Sequence, residues 1–168
     1  MVGIINLTLI TFVTFCLGMA SGIFFLLYCL EAPIYNTVGA KDVGAKETNG
    51  ADSDALMRRV LLVLQQFLSF RVPIVMVTLV TCSILGSVLR LVLDGFTTLS
   101  ILVALSSTFA IVYSGFLVPS AVKLFEDVSL EASTSEIQTA LAPIVRLHRN
   151  VGIVIAVTLM LQLASVAF

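Results

Sequence analysis

The sequence predicts an all-α integral membrane protein: an antiparallel four-helix bundle whose second helix is long and projects beyond the membrane. Three observations carry that expectation. The chain is 59% hydrophobic and 11% charged, with a mean hydropathy of +1.12, whereas soluble domains carry about 25% charged residues. Four charge-poor stretches recur along its 168 residues, each near the roughly 20 residues that cross a bilayer. The polar residues gather in two loops between them. The same composition excludes an ordinary soluble globule and disorder, and a net charge of -1 argues against a nucleic-acid partner. One four-span domain, 1–168, accounts for the length.

The first span covers about 3–30. Met1 to Leu30 holds no charged residue. No Lys or Arg precedes the run, which is about twice as long as the apolar core of a cleaved signal, so a retained span is expected. It should stop at Leu30-Glu31-Ala32-Pro33, a carboxylate followed by a proline. A polar loop at 37–54, rich in Gly, Lys, Asp and Asn, follows. Asp52, Ser53 or Asp54 can cap the next helix by accepting its free N–H groups.

From Ala55 to Leu93 only Pro73 and Gly86 interrupt good helix formers. The part from Leu56 to Phe70 is amphipathic and 72–93 is the second span, together a rod of roughly 58 Å against a slab of about 30 Å. Projection with a mild bend near Pro73 follows. Leu56, Val60, Val63, Leu64, Phe67 and Phe70 give helix 56–70 an apolar face. That face either docks partners of a membrane complex or packs on the chain's own Ile137 to Ile144.

Arg90 and Asp94, four apart, can pair at the far surface, and Gly95 turns the chain into a third span at 97–119. After a second polar loop at 123–133, Ser133 and Glu136 have capping-box spacing. The helix from Thr134 then runs through Pro143 and Arg146-Leu147-His148-Arg149 into the last span, 150–168. Lys41, Lys46, Arg58, Arg59, Lys123, Arg146 and Arg149 flank or lie in the loops, against Arg90 alone on the other side. The asymmetry points the loops to the cytoplasmic-equivalent side and both termini to the opposite one.

Helices in lipid associate through close packing and scattered polar contacts. Gly18 and Gly22, Gly86 between Ser83 and Ser87, and Ala110 with Ser114-Gly115 supply small residues for packing within the bundle; a homodimer through Gly18 and Gly22 is the sharper option. Cys16, Cys29 and Cys82 lie in apolar runs without metal-ligand or CxxC spacing and read as small hydrophobes.

The candidate site lies at the loop-side mouth, where ionisable residues meet the membrane edge. Glu31 closes the first span with Tyr35 one turn on. Arg71 opens the second and His148 the fourth, flanked by Arg146 and Arg149, while Pro119 and Lys123 reach the same depth. Two readings follow. Glu31 and Arg71 form an ion pair while the other bases anchor in headgroups. Alternatively His148 or Glu31 accepts a proton and Arg71 holds an anionic or enolate-like group. One histidine excludes bis-histidine haem ligation within the chain, and Gly39, Gly44 and Gly50 lack phosphate-loop spacing.

Several short motifs resemble the small four-helix membrane family that includes fungal anthrone oxygenases. They are Gly18 to Gly22 leading into Glu31-Ala32-Pro33, Phe67 to Pro73 before the second span, Leu117-Val118-Pro119-Ser120-Ala121-Val122-Lys123-Leu124 after the third, and Arg146-Leu147-His148-Arg149 heading the fourth. The chain has Pro119-Ser120-Ala121 where Pro-Thr-Asn is common in that family, and no Trp before the second span. The Leu-His start of the last span is also similar to the transmembrane protein 205-like family. The first resemblance implies cofactor-free oxidation of a lipophilic anthrone-like polyketide by molecular oxygen, with His148, Glu31, Arg71 and Tyr35 as the site and neither cofactor nor metal. The competing expectations are a non-catalytic accessory subunit, using helix 56–70 to meet its partners in the bilayer, and a small lipophile carrier.

Overall fold

The computed structural model describes residues 2–39, 50–70, 72–126 and 128–167, with side chains described for 4–31, 54–67, 72–116, 118, 123 and 128–167. These residues form α1 (Val2–Gly39), α2 (Gly50–Phe70), α3 (Val72–Leu93), α4 (Thr98–Glu126) and α5 (Thr134–Ala167). Stretches within α1, α3, α4 and α5 are long and apolar enough to cross a membrane. The helical class and the four spans are as the composition requires.

Long-range hydrogen bonds fix the topology. Asn6 donates to Asp94 at 2.6 Å, while Glu31 meets His148 at the other end of α1, so α1 runs antiparallel to α3 and α5. Asn150 donates to the Tyr113 hydroxyl, and the start of α4 is linked through Ser100, Asp94 and Arg90 to Ser165 near the end of α5, which sets α4 antiparallel to α5. Thr134 donates to Asp54 near one end, and Arg90 to Gln162 near the other; α2 and α3 therefore descend in sequence beside α5. α1 and α4 each pack on both α3 and α5 and so face each other diagonally. The two ends of the bundle are the loop end, which carries α2, and the turn end, where α3 passes into α4.

Each long helix buries a narrow seam. On α1, Val13, Leu17, Ala20, Leu27 and Glu31 are buried, and Phe24 is packed in register with them. On α5 the seam is Ile137, Leu141, Ile144, Val151, Ile155, Thr158 and Gln162, with His148 filling the remaining position. These alternating steps of three and four give knobs-into-holes packing between helices. The outer faces stay apolar: Phe15, Phe25, Val77, Leu105, Phe116 and Met160 are all more than half exposed. In water such continuous apolar surface drives association; facing lipid tails, it matches its solvent.

Several boundaries differ from expectation. α1 passes through Glu31-Ala32-Pro33 to Gly39, because a proline removes one ladder bond without ending a helix whose other bonds remain. α2 begins at Gly50, so residues 52–54 lie inside its first turns rather than capping it, and the Asp54 carboxylate accepts from Thr134 instead. Residues 40–49 of the expected loop lie outside the described residues. Along the expected long rod, α2 is described to Phe70 and α3 from Val72, and Arg71 between them lies outside the described residues. α4 continues past Pro119 to Glu126, shortening the second loop. That loop closes as the spacing predicts: Ser133 N–H donates to Glu136 Oε2 at 2.9 Å and Glu136 N–H to Ser133 Oγ at 3.4 Å.

The apolar face of α2 is partly spent inside the chain. Met57, Val60, Leu61 and Leu64 pack with Leu27, Ile137, Leu141 and Ile144 in one cluster, while Leu56, Val63 and Phe67 remain exposed. The side chain of Phe70 lies outside the described residues. At the α3–α4 turn, Gly95 has φ +68° and Phe96 φ +63°. The Phe96 N–H donates to the Leu91 carbonyl at 3.1 Å, a Schellman-type ending in which the left-handed residue is best supplied by glycine.

The glycines sort differently from expectation. A Cβ on Gly18, Gly22 or Gly115 would meet open space, so these residues make no close helix contact within the bundle. At Gly86 it would lie 2.6 Å from a Val13 methyl carbon, and at Gly152 3.2 Å from Phe24 Cβ. α1 and α3 therefore approach closely at Gly86, and the Gly152 contact went unsignalled in the sequence. Replacing Gly86 by Leu should cost about 1–3 kcal/mol by overpacking and lower the melting midpoint in detergent by several degrees. Gly18→Leu should leave the midpoint unchanged or raise it.

Candidate functional site

Glu31 is the last seam residue of α1, and His148 occupies the matching position on α5. Antiparallel packing of the two seams brings them together, with Nδ1 of His148 2.5 Å from Oε1 of Glu31. The Glu31 side chain is 1% exposed and that of His148 11%. An isolated carboxylate buried this deeply would cost several kcal/mol. The hydrogen bond to His148 offsets part of that cost. With a neutral imidazole, Nδ1–H donates to the carboxylate and Nε2 keeps its lone pair; with the proton count raised by one, the pair is imidazolium and carboxylate.

The surroundings hold this contact in place. The Phe24 ring lies 6.1 Å from the imidazole, tilted by 58°. Gly152, one turn beyond His148, leaves the space that Phe24 occupies. Above them α2 acts as a roof, since Val60, Leu61 and Leu64 pack with Leu27, one turn before Glu31. α2 is tied to the segment before α5 by Gln65 donating to the Val128 carbonyl at 3.3 Å and Arg58 to the Leu130 carbonyl. Oε2 of Glu31 is buried and has no hydrogen-bond partner among the described residues.

Of the residues the sequence assigned to this mouth, the structure brings Glu31 and His148 together. Arg71 and the side chain of Tyr35 lie outside the described residues, as does the side chain of Pro119. Arg146, Arg149 and Lys123 are exposed, so these three cations do not converge on the buried carboxylate; Arg149 donates instead to Asn150 at 3.4 Å. Asn150 and Tyr113 form their own pair on the side of α5 that faces α4, and Tyr113 stacks on Phe109. Among the described residues no three His, Cys, Asp or Glu side chains are placed to share a metal ion.

A second polar cluster, at the turn end, showed in the sequence only as its Arg90–Asp94 pair. Arg90 and Asp94 do pair, Nε to Oδ2 at 2.7 Å, but Arg90 is 5% exposed and lies within the bundle rather than at a free surface. Its guanidinium also donates to Gln162 Oε1 at 3.0 Å, to Ser165 Oγ at 2.7 Å and to the Ser165 carbonyl at 3.3 Å. Asp94 accepts further from Asn6 and Ser100. The fully buried Gln162 reaches the Ile10 carbonyl and the Thr14 hydroxyl, both at 3.5 Å. One cluster thus ties α1, α3, α4 and α5 together. The signal was available: Gln162 stands two heptads after His148, on the same seam, and is polar in an apolar run.

Arg90's donors and Asp94's acceptors are taken up by protein groups, so this cluster is a clasp. Arg90→Met strands Asp94 and Gln162 and should cost about 3–5 kcal/mol, as broken buried pairs do, read as a lower melting midpoint in detergent. Arg90→Met combined with Asp94→Asn, which leaves no unpaired charge, should recover part of the loss.

Set beside known protein families, characterised proteins and solved structures, the chain finds no match, and its chemistry is argued from this geometry.

Proposed function

We propose that the chain is a multi-pass membrane enzyme in which the Glu31–His148 pair takes a proton from an acidic C–H of a lipophilic, anthrone-like polyketide, which molecular oxygen then oxidises without a cofactor. The observation that carries this reading is the Nδ1 to Oε1 contact of 2.5 Å between two groups almost wholly withdrawn from water. A carboxylate bonded to one imidazole nitrogen fixes the ring and its tautomer and stabilises the cation formed when the other nitrogen accepts a proton. In an apolar surround such a base acts on a substrate that partitions from the bilayer.

The chemistry balances: a ring methylene and a molecule of dioxygen become a ketone and a molecule of water. Nε2 of His148 removes one C–H proton, and the electron pair delocalises onto the ring oxygen as an enolate. The sequence assigns the cation for that oxygen to Arg71 and a further hydroxyl to Tyr35, and both side chains lie outside the described residues. The enolate passes electrons to dioxygen and a C–O bond forms. His148 returns its proton to the peroxide. Loss of the second C–H proton with cleavage of the O–O bond then leaves the ketone and water.

The test is anthrone turnover by the purified protein in nanodiscs, followed by oxygen uptake and quinone absorbance. His148→Ala should lower kcat about 100-fold or more, the usual scale of a lost general base, and Glu31→Gln should lower it while helicity is retained. No turnover by the wild type, or indifference to His148→Ala, would contradict the proposal. Stable co-purification with other membrane subunits would then support the accessory role instead.

A further inference from the structure

We infer that the groove between α1 and α2 is a binding site for an anionic phospholipid of the loop-side leaflet, with an acyl chain on Leu30, Val60 and Val63 and the phosphate on Arg59. The groove is shallow and partly open, holds about 100 Å³, and is lined by those four residues. Its walls are wholly apolar, Arg59 contributing the aliphatic stem of its side chain. Arg58 and Arg59 are neighbours in sequence but are used differently. Arg58 donates to the Leu130 carbonyl, whereas Arg59 is exposed and has no hydrogen-bond or salt-bridge partner among the described residues.

Depth selects the occupant. Counting about 20 residues for the hydrocarbon slab up α1 from Asn6, at the turn-end clasp, reaches Leu26. Leu30 and the groove then sit within the headgroup layer, roughly one helical turn higher at 1.5 Å per residue. Leu26 is 59% exposed and Leu30 38%, so an acyl chain can run along α1 from the hydrocarbon into the groove. Its phosphate then lies at the height of Arg59, where a guanidinium binds two phosphate oxygens at once. The nearest acidic side chain on α1, Glu31, is buried against His148 and does not compete for it. The apolar stripe continues on α2 through exposed Leu56 and Phe67, a face that water disfavours and a second acyl chain covers.

The experiment uses the full chain in bilayers of three parts phosphatidylcholine to one part phosphatidylglycerol, with retained lipid identified by native mass spectrometry. The wild type should keep phosphatidylglycerol in preference to phosphatidylcholine. Arg59→Gln should reduce that preference about five-fold, the scale of one basic residue at an anionic surface. Val63→Phe, which fills the groove and keeps the charge, should reduce it similarly, and it decides the matter if Arg59→Gln does not fold. Arg146→Gln, at another exposed arginine, should leave the preference intact. Equal losses from Arg59→Gln and Arg146→Gln would mean diffuse surface charge and overturn the site. So would indifference to Val63→Phe, or a single-chain fatty acid as the retained species.

Discussion

A carboxylate placed where water cannot reach it needs a hydrogen-bond donor, and in this chain Glu31 finds one in His148. The requirement acts on structure before it acts on chemistry. Only one register of α1 against α5 brings Oε1 to Nδ1, and a slip by one heptad would leave both groups opposite apolar side chains at a cost of several kcal/mol. Lipid tails are as apolar as the seam residues, so apolar burial alone discriminates weakly between registers. Polar contacts at fixed positions supply the discrimination.

The two ends of the bundle solve this problem differently. At the turn end, Arg90, Asp94, Asn6, Ser100, Gln162 and Ser165 exchange several hydrogen bonds and tie four helices into one clasp. At the loop end, among the described residues, the buried Glu31–His148 contact joins α1 and α5, under a roof of α2 that is itself held by apolar packing and by bonds to the α4–α5 connection and the start of α5. Between the ends the seam is mostly apolar. The clasp, in which Arg90 and Asp94 are both bonded while Asn6 Oδ1 has no described partner, suits a structural role, and the loop end, where Glu31 Oε2 has none either, is where a proton-transfer site is proposed.

Much of this was legible from residues alone. Charge-free runs fixed the four spans, because nothing else in a chain of this composition can shield so much apolar surface. Ser133 and Glu136 announced the start of α5, and their hydrogen bonds follow that spacing. Glu31 and His148 were recognisable as membrane-edge ionisable groups, yet their pairing was not, since Arg71 offered Glu31 an equally good partner by depth. The turn-end clasp was half legible. Arg90 and Asp94 show as an i, i+4 pair, but burial depends on which helix face turns inward, and that emerges only when the three-four seam is followed to Gln162. Gly18 and Gly22 misled because small-residue spacing marks a surface that permits close approach without saying which neighbour uses it. Gly86, which the sequence marked for packing between Ser83 and Ser87, is the residue that α1 approaches.

Because the chain has one histidine, its imidazole is directly observable. Side-chain 15N NMR of histidine-labelled protein in nanodiscs tests the central contact without any substrate. The account predicts one imidazole whose Nδ1 proton resonates far downfield and exchanges slowly with water, both features being lost in Glu31→Gln. A ring whose nitrogen protons exchange freely, with shifts unchanged by Glu31→Gln, would contradict it.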